Sequence, residues 1–234
     1  LRGILNGIDT ETFDPAADPF LFANYSAANP KGKEQNKKAL LKMLGLPPAG
    51  KDTPVIGMVS RLVPHKGIDL VEQAIDRIAS EDVRFVVIGT GDWRYEQMLI
   101  NAARRYPGKI SANILFSADL ASKIYAGSDM LLMPSKSEPC GLSQQIAMRY
   151  GTIPVVRATG GLRDTVAPYD PATHSGSCFC FDEYTPDGMM GAVSEAVGCF
   201  RNKPAWNTLR DRGLSGDFSW KRSAAEYFKA YSDL

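Results

Sequence analysis

The residues with the most chemistry to offer lie in 131–166, LLMPSKSEPCGLSQQIAMRYGTIPVVRATGGLRDTV. One carboxylate, Glu138, stands in a polar loop (Pro134 to Cys140) that follows an apolar run, Met130 to Met133. The pattern predicts a helix from about Gly141 to Tyr150, a second apolar run from Ile153 to Val156, and a Gly160-Gly161 turn opening another helix. Polar and glycine residues therefore fall where strands hand over to helices. In an open parallel sheet ligands sit at those carboxyl ends of strands, and helix N-termini there present free N–H groups to anions. Two seats suited to phosphate around a single acid suggest a phosphorylated sugar donor.

A second group lies upstream. The buried run Pro54 to Val59 ends at Ser60-Arg61, and a helix is expected from Gly67-Ile68, so Arg61 and Lys66 share one strand-to-helix loop. Arg offers a planar fork and Lys a mobile point charge, a plausible clamp for a diphosphate. Taken alone, such a pair is usually solvated; beside the Glu138 loop in one parallel sheet it becomes informative. His65 between them reads as a loop residue. Gly89-Thr90-Gly91-Asp92 lacks the third glycine of a dinucleotide fingerprint and reads as a turn letting backbone approach a ligand. That disfavours a dinucleotide oxidoreductase.

Stepping outward to the elements, apolar spacing predicts helices over 33–44, 68–79, 93–106, 120–126, 185–200 and 205–212, and strands at 84–88, 110–116 and 177–181. The count is five or six buried strands alternating with helices, an α/β class with a Rossmann-like parallel sheet flanked by helices. Trp220, Ala224, Tyr227, Phe228 and Tyr231 recur at helical spacing and read as a core-facing stripe. Residues 1–30 read as an irregular connector, 31–216 as the Rossmann-like domain and 217–234 as a terminal helix. The chain opens Leu1-Arg2-Gly3 on a loop motif, which reads as a piece of something longer.

Composition bounds the partners. Hydrophobic residues at 44% and charged residues at 23% are ordinary for a globular domain. A net charge of +1 argues against a nucleic-acid partner held by bulk positive charge. No run approaches the roughly eighteen apolar residues of a membrane span. Cys140, Cys178, Cys180 and Cys199 form no Cys-x-x-Cys pair, no His is spaced for zinc, and Cys178 and Cys180 read as packing residues. No Asp-x-Asp pair stands in a loop suited to a metal, so neither metal nor cofactor is expected.

Ser137-Glu138-Pro139-Cys140-Gly141-Leu142-Ser143-Gln144, followed by Tyr150-Gly151-Thr152-Ile153-Pro154 through Val166, resembles the donor-site signature of bacterial glycogen synthases and plant starch synthases. Ser60-Arg61-Leu62-Val63-Pro64-His65-Lys66-Gly67 is similar to that family's S-R-L-x-x-x-K-G segment, and Gly3 to Asp9 to its G-I-x-N-G-I-D segment. The resemblance covers essentially the whole chain. It implies the carboxyl-terminal half of a GT-B enzyme that transfers glucose, with retention, from ADP-glucose to the non-reducing end of an α-1,4-glucan. The amino-terminal GT-B domain would be the partner, and the terminal helix would cross toward it. The implied location is bacterial cytoplasm, or plastid for a plant source. By the same resemblance Glu138 holds sugar hydroxyls, and Arg61 and Lys66 stabilise the leaving diphosphate. Asn6 contacts the donor sugar, or is only a turn residue. Phe116 lies near the base, or is a core aromatic. Cys140, Gly141, Leu142 and Ser143 with the Gly160 and Gly161 backbone surround the phosphates, Cys140 as a tight-fitting small residue. The position eight after Glu138, where other retaining branches carry a second Glu, is Ile146. A sucrose- or trehalose-phosphate-synthase type shares the fold and is the alternative, as is a nucleotide-binding module inactive in isolation; a glucan-binding module is disfavoured by the pattern.

Overall fold

Successive residues of the central strands go to opposite sides of one sheet, as strand geometry requires. Met130 and Leu132 enter one core cluster, and Leu131 and Met133 the other. Both faces are therefore buried, which is why these strands read as unbroken apolar runs. The computed structural model describes residues 3–233; Leu1, Arg2 and Leu234, the outermost residues of the expected connector and terminal helix, lie outside the described residues.

The sheet is six-stranded and parallel, in the order β3-β2-β1-β4-β5-β6. Its strands are β1 (Val55–Val59), β2 (Arg84–Ile88), β3 (Ile110–Asn113), β4 (Met130–Met133), β5 (Ile153–Arg157) and β6 (Phe179–Phe181). The helices are α1 (Lys31–Met43), α2 (Ile68–Ser80), α3 (Trp93–Arg105), α4 (Ala118–Gly127), α5 (Ser143–Arg149), α6 (Gly161–Thr165), α7 (Pro186–Arg201), α8 (Lys203–Leu214) and α9 (Trp220–Ser232). Residues of α2, α3, α7 and α8 share a core with one face of the sheet, while α1, α4 and α5 pack on the other. The expected Rossmann-like unit is thus the observed one. The order reverses between β1 and β4, which pair through Ile56↔Met130 and Gly57↔Leu131. That reversal opens a crevice beyond their carboxyl ends.

Several boundaries move. The third strand ends at Asn113, so Phe116 lies three residues beyond it instead of closing it. The last strand starts at Phe179, after Ser177 and Cys178 have paired back to Ala167. The α5 helix starts at Ser143, later than the Gly141 start expected, because Gly141 takes φ +69°. The apolar stripe of α9 is not core: only Ser223 of that helix is buried, and Phe228 and Tyr231 are 76% and 72% exposed. A 3.6-residue period reports an amphipathic face and is silent about what covers it. Cys178 is buried and Cys180 half-buried, both packed in the same cluster with their sulfurs 2.7 Å apart, as packing residues. Among the described residues no helix is long and apolar enough to cross a membrane.

The irregular stretch before α1 is fastened to the far half of the chain. Tyr25 Oη donates to the Tyr150 carbonyl at 2.8 Å, and Tyr150 Oη donates to Asp18 Oδ2 at 2.6 Å. Burial, with Asp18 adding to it, pushes the Tyr150 phenol far up, so it stays a donor. Tyr150→Phe removes that donor from a carboxylate 3% exposed. We expect a loss of about 1–3 kcal/mol of unfolding free energy, read by urea denaturation at constant m-value.

Candidate active site

Two loops meet at the crevice beyond β1 and β4. The first carries Arg61 and a single 3₁₀ turn, Pro64–Lys66, and ends at Gly67. Gly67 has φ +77°, and a Cβ there would lie 2.0 Å from the Pro134 carbonyl oxygen, so only glycine lets the loops touch. The second loop, Pro134 to Leu142, is stitched to the first by Lys136 N–H donating to the His65 carbonyl at 2.9 Å.

This contact brings Lys66 Nζ to 2.6 Å from Glu138 Oε2. Ser135 Oγ donates to the same oxygen at 3.2 Å. Glu138 is 8% exposed, and its Oε1 makes no hydrogen bond among the described residues. The carboxylate is therefore fixed through one oxygen, leaving the other for hydroxyl donors. Lys66 has three donors and spends one on Glu138, so it can still reach an anion.

Arg61, Lys66, Glu138, Gly141, Leu142 and Ser143 line one polar pocket of about 200 Å³. Arg61 is exposed, its Nη2 3.4 Å from His65 Nε2. It also borders a second, mainly apolar pocket of about 570 Å³, on whose wall lie Phe13, Phe20, Leu115 and Phe116. Gly89 and Thr90 reach that wall, whereas Gly91 bridges to Leu62. Phe116 is 92% exposed, which removes the core-aromatic reading.

The remaining expected residues sit around this centre. Asn6 Nδ2 lies 3.1 Å from Cys140 Sγ, and its carbonyl accepts from Gln145 Nε2 at 3.1 Å. Asn6 thus borders a third cavity, of about 500 Å³, against α9, and holds the Cys140 loop in place. Ser143 opens α5, ahead of the first helical bond (Ile146 N–H to Leu142 carbonyl), and its side chain hydrogen-bonds Tyr125, whose phenol burial pushes up to about 12 with the Ser143 bond opposing. The expectation for Gly161 is corrected: its N–H donates to the Glu138 carbonyl at 2.9 Å and is spent inside the loop. Gly160 takes φ +48° with a would-be Cβ 2.3 Å from that carbonyl, so the Gly-Gly turn is a support pressed beneath Glu138. Ile146 belongs to the core.

Sequence reasoning passed over Ser135 and Gln144. Gln144, fully buried, ties the Gly141 carbonyl (2.8 Å) to Thr165 Oγ1 (2.7 Å), joining the Glu138 loop to α6. A Gln so near a phosphate-type loop was the available signal. Glu11, Thr12, Phe13 and Phe20, contributed to the apolar pocket by the irregular first segment, carried no signal.

The Glycosyl transferases group 1 family model matches residues 47–197. The chain belongs to that family. Among its relatives, the glycogen synthase of Kosmotoga olearia is 53% identical over all 234 residues, which make up 49% of that protein. The glycogen synthase of Geobacillus thermodenitrificans is 49% identical over the same 234 residues, 48% of its own length. In structure, the catalytic domain of starch synthase IV from Arabidopsis thaliana, bound to ADP and acarbose, superposes with a TM-score of 0.92 at 38% identity. That match covers 99% of this chain and 48% of that one. The chain therefore spans about half the length of the curated relatives it matches. Within the group 1 fold, the polar pocket occupies the switch-point position where ligand is expected.

Proposed function

We propose that this chain is the donor-binding half of a retaining glucosyltransferase that moves glucose from ADP-glucose to the non-reducing 4-hydroxyl of an α-1,4-glucan. One observation carries the reading: Arg61, Lys66 and Glu138 converge in one polar pocket that adjoins an apolar one across Arg61. The relatives named glycogen synthase, and the ADP in the starch synthase structure, support the choice of donor.

In this reading the base and ribose occupy the apolar pocket beside Phe116, and the diphosphate lies against Arg61, Lys66 and the start of α5. As the bond from the anomeric carbon to the β-phosphate breaks, negative charge grows on the departing oxygen. Arg61 and the two spare Lys66 donors neutralise it, the work a cation does in metal-dependent transferases; no metal or cofactor enters the scheme. Glu138 Oε1 accepts sugar hydroxyls and favours the positive charge developing on the ring. The acceptor oxygen bonds to the anomeric carbon as the β-phosphate leaves, and its proton passes to the departing phosphate oxygen. An amino-terminal GT-B domain would supply acceptor contacts, and the exposed Phe228 and Tyr231 of α9 would pack on it. The setting is the bacterial cytoplasm.

Calorimetric titration of this chain with ADP, UDP, GDP and ADP-glucose, without metal, tests the donor assignment. Selective ADP binding is expected, weakened roughly 10- to 100-fold by Arg61→Ala or Lys66→Ala, the scale of one or two charge-assisted hydrogen bonds. Preference for UDP or GDP would overturn the donor and favour the sucrose- or trehalose-phosphate-synthase type. A titration without heat is repeated on a full-length synthase containing this half, and silence there too would reject the reading.

A further inference from the structure

The opposite edge of the sheet, where strands begin, holds another polar pocket, of about 440 Å³. It lies between α1, the loop at Ala49–Lys51, Asp129 at the entry to β4, and the junction of α7 with α8. Six cationic side chains line it (Lys31, Lys33, Lys37, Lys51, Lys203 and Arg210), against the acids Glu34 and Asp129. The whole chain carries only +1, so this excess is local.

The acids are already committed. Asp129 Oδ2 takes Lys37 Nζ at 2.8 Å and the Val55 N–H at 2.7 Å. Glu34 faces Lys38, and Arg210 pairs with Asp211. Lys33 spends its ammonium on the carbonyls of Tyr125, Ala126 and Tyr150 and the hydroxyl of Thr152. Lys31, Lys51 and Lys203 make no ion pair among the described residues.

Lys203 is the telling member. It is only half-exposed, with its Nζ 3.2 Å from the centroid of the Phe200 ring, and Lys37 Nζ stands 4.9 Å from the same centroid. Lys37 is neutralised by Asp129, whereas a ring attracts the Lys203 cation without neutralising it. Burial lowers the pKa of the Lys203 ammonium, with Asp129 and Asp52 opposing and Lys37 and Lys51 adding to the fall. On the same wall Trp206, 4% exposed, makes no hydrogen bond through its indole N–H among the described residues. The pocket thus presents the unneutralised ammonium groups of Lys31, Lys51 and Lys203, with the Trp206 indole on its wall.

We infer that this pocket is a second binding site, for a phosphate-type oxyanion, remote from the donor pocket and independent of the glucosyltransferase reading. Both sources share one chemistry: free phosphate, or the phosphate of a small monoester for which the cavity leaves room beside the charge. The anion sits between Lys203 and Lys51, beside the Trp206 indole on the pocket wall.

Inorganic phosphate is titrated into the chain at constant ionic strength while the indole N–H resonances of Trp93, Trp206 and Trp220 are followed by NMR. The expected result is a saturable shift of Trp206 alone, weakened at least tenfold in Lys203→Gln and in Lys51→Gln, with ADP affinity unchanged in both. Lys51 is exposed, so its variant guards against a folding defect at Lys203. A repeat with glycerol phosphate identifies the source: tighter binding than phosphate marks a monoester site, equal binding a free-phosphate site. A Trp206 resonance that does not move, moves linearly with the other two, or moves equally in both variants overturns the proposal. Because the readout does not use the donor pocket, failure here is distinguishable from failure of the proposed function.

Discussion

Glu138→Ala, in a full-length synthase carrying this half, should lower turnover roughly 100- to 1000-fold, the scale of removing one preorganised charge from a transition state, with a smaller change in donor KM. The reason lies in the geometry. Glu138 is fixed by Lys66 at 2.6 Å and Ser135 at 3.2 Å through one oxygen, so its other oxygen is already aimed when the ring becomes positive. Lys66→Ala should raise the donor KM and also lower turnover, because it strips the carboxylate of its cation as well as the phosphate of its clamp. The two substitutions should therefore combine to less than the sum of their separate effects, as coupled residues do. Initial rates against ADP-glucose with glycogen as acceptor measure all three variants. Near-normal turnover in Glu138→Ala would remove the assigned role, and strict additivity would remove the coupling.

Lys33→Met should lower the unfolding free energy by about 1–3 kcal/mol, the cost of a buried acceptor left unmet. Lys33 caps two helices at once: it reaches the Tyr125 and Ala126 carbonyls in the last turn of α4 and the Tyr150 carbonyl just past α5. Those carbonyls lack helical partners, and both helix dipoles favour a cation there. Methionine fills the volume and releases a buried charge, and the Tyr125 and Tyr150 carbonyls keep the Thr152 and Tyr25 hydroxyls, but the Ala126 carbonyl loses its donor, and that unmet acceptor outweighs the relief. Burial, opposed by Asp129, pulls the Lys33 amine down to about 7 from 10.5. Between those values the unfolded chain binds more protons than the folded one, so the contribution of Lys33 to stability rises with pH. The wild-type advantage over Lys33→Met should therefore widen from about pH 7 upward, by at most about 1.4 kcal/mol per pH unit. Urea denaturation of both proteins at several pH values measures it. An advantage that stays flat would show the carbonyl cage keeping the amine charged.

What could be read from sequence divides along physical lines. The strands β1, β4 and β5 were legible because a sheet covered on both faces demands unbroken apolar runs, and the loops after them because strand must hand over to helix. Glu138, Arg61 and Lys66 were legible as types at loop positions. Their distances were not: Lys66 meets Glu138 across 72 residues of sequence, through a loop contact that depends on Gly67 fitting against Pro134. The Gly160-Gly161 turn was found, but its use was not. A glycine pair looks the same whether it serves to free an N–H or to let two chains press together, and here the N–H of Gly161 is consumed by the residue it supports. Helix α9 shows the opposite gap, since its spacing was correct and its environment was not. The basic pocket at the far edge is illegible in sequence because its members come from α1, α8 and the loop at Ala49–Lys51, far apart in sequence, each looking like a solvated face.

The irregular first segment has a consequence for synthesis. Its partners are Tyr150, Cys140, Phe218 and Ser223: Tyr25 meets Tyr150, Asn6 meets Cys140, the Ile8 N–H reaches the Phe218 carbonyl at 2.8 Å, and Ser223 returns to the Leu5 carbonyl at 2.6 Å. On a ribosome the residues made earlier here must wait for those made near the end. While the strands between them collapse, Ile8 and Tyr25, both buried in the finished protein, stay uncovered. Closing contacts of such long sequence separation is slow, so we expect the segment to dock late, with Ile8 and Tyr25 exposed until it does.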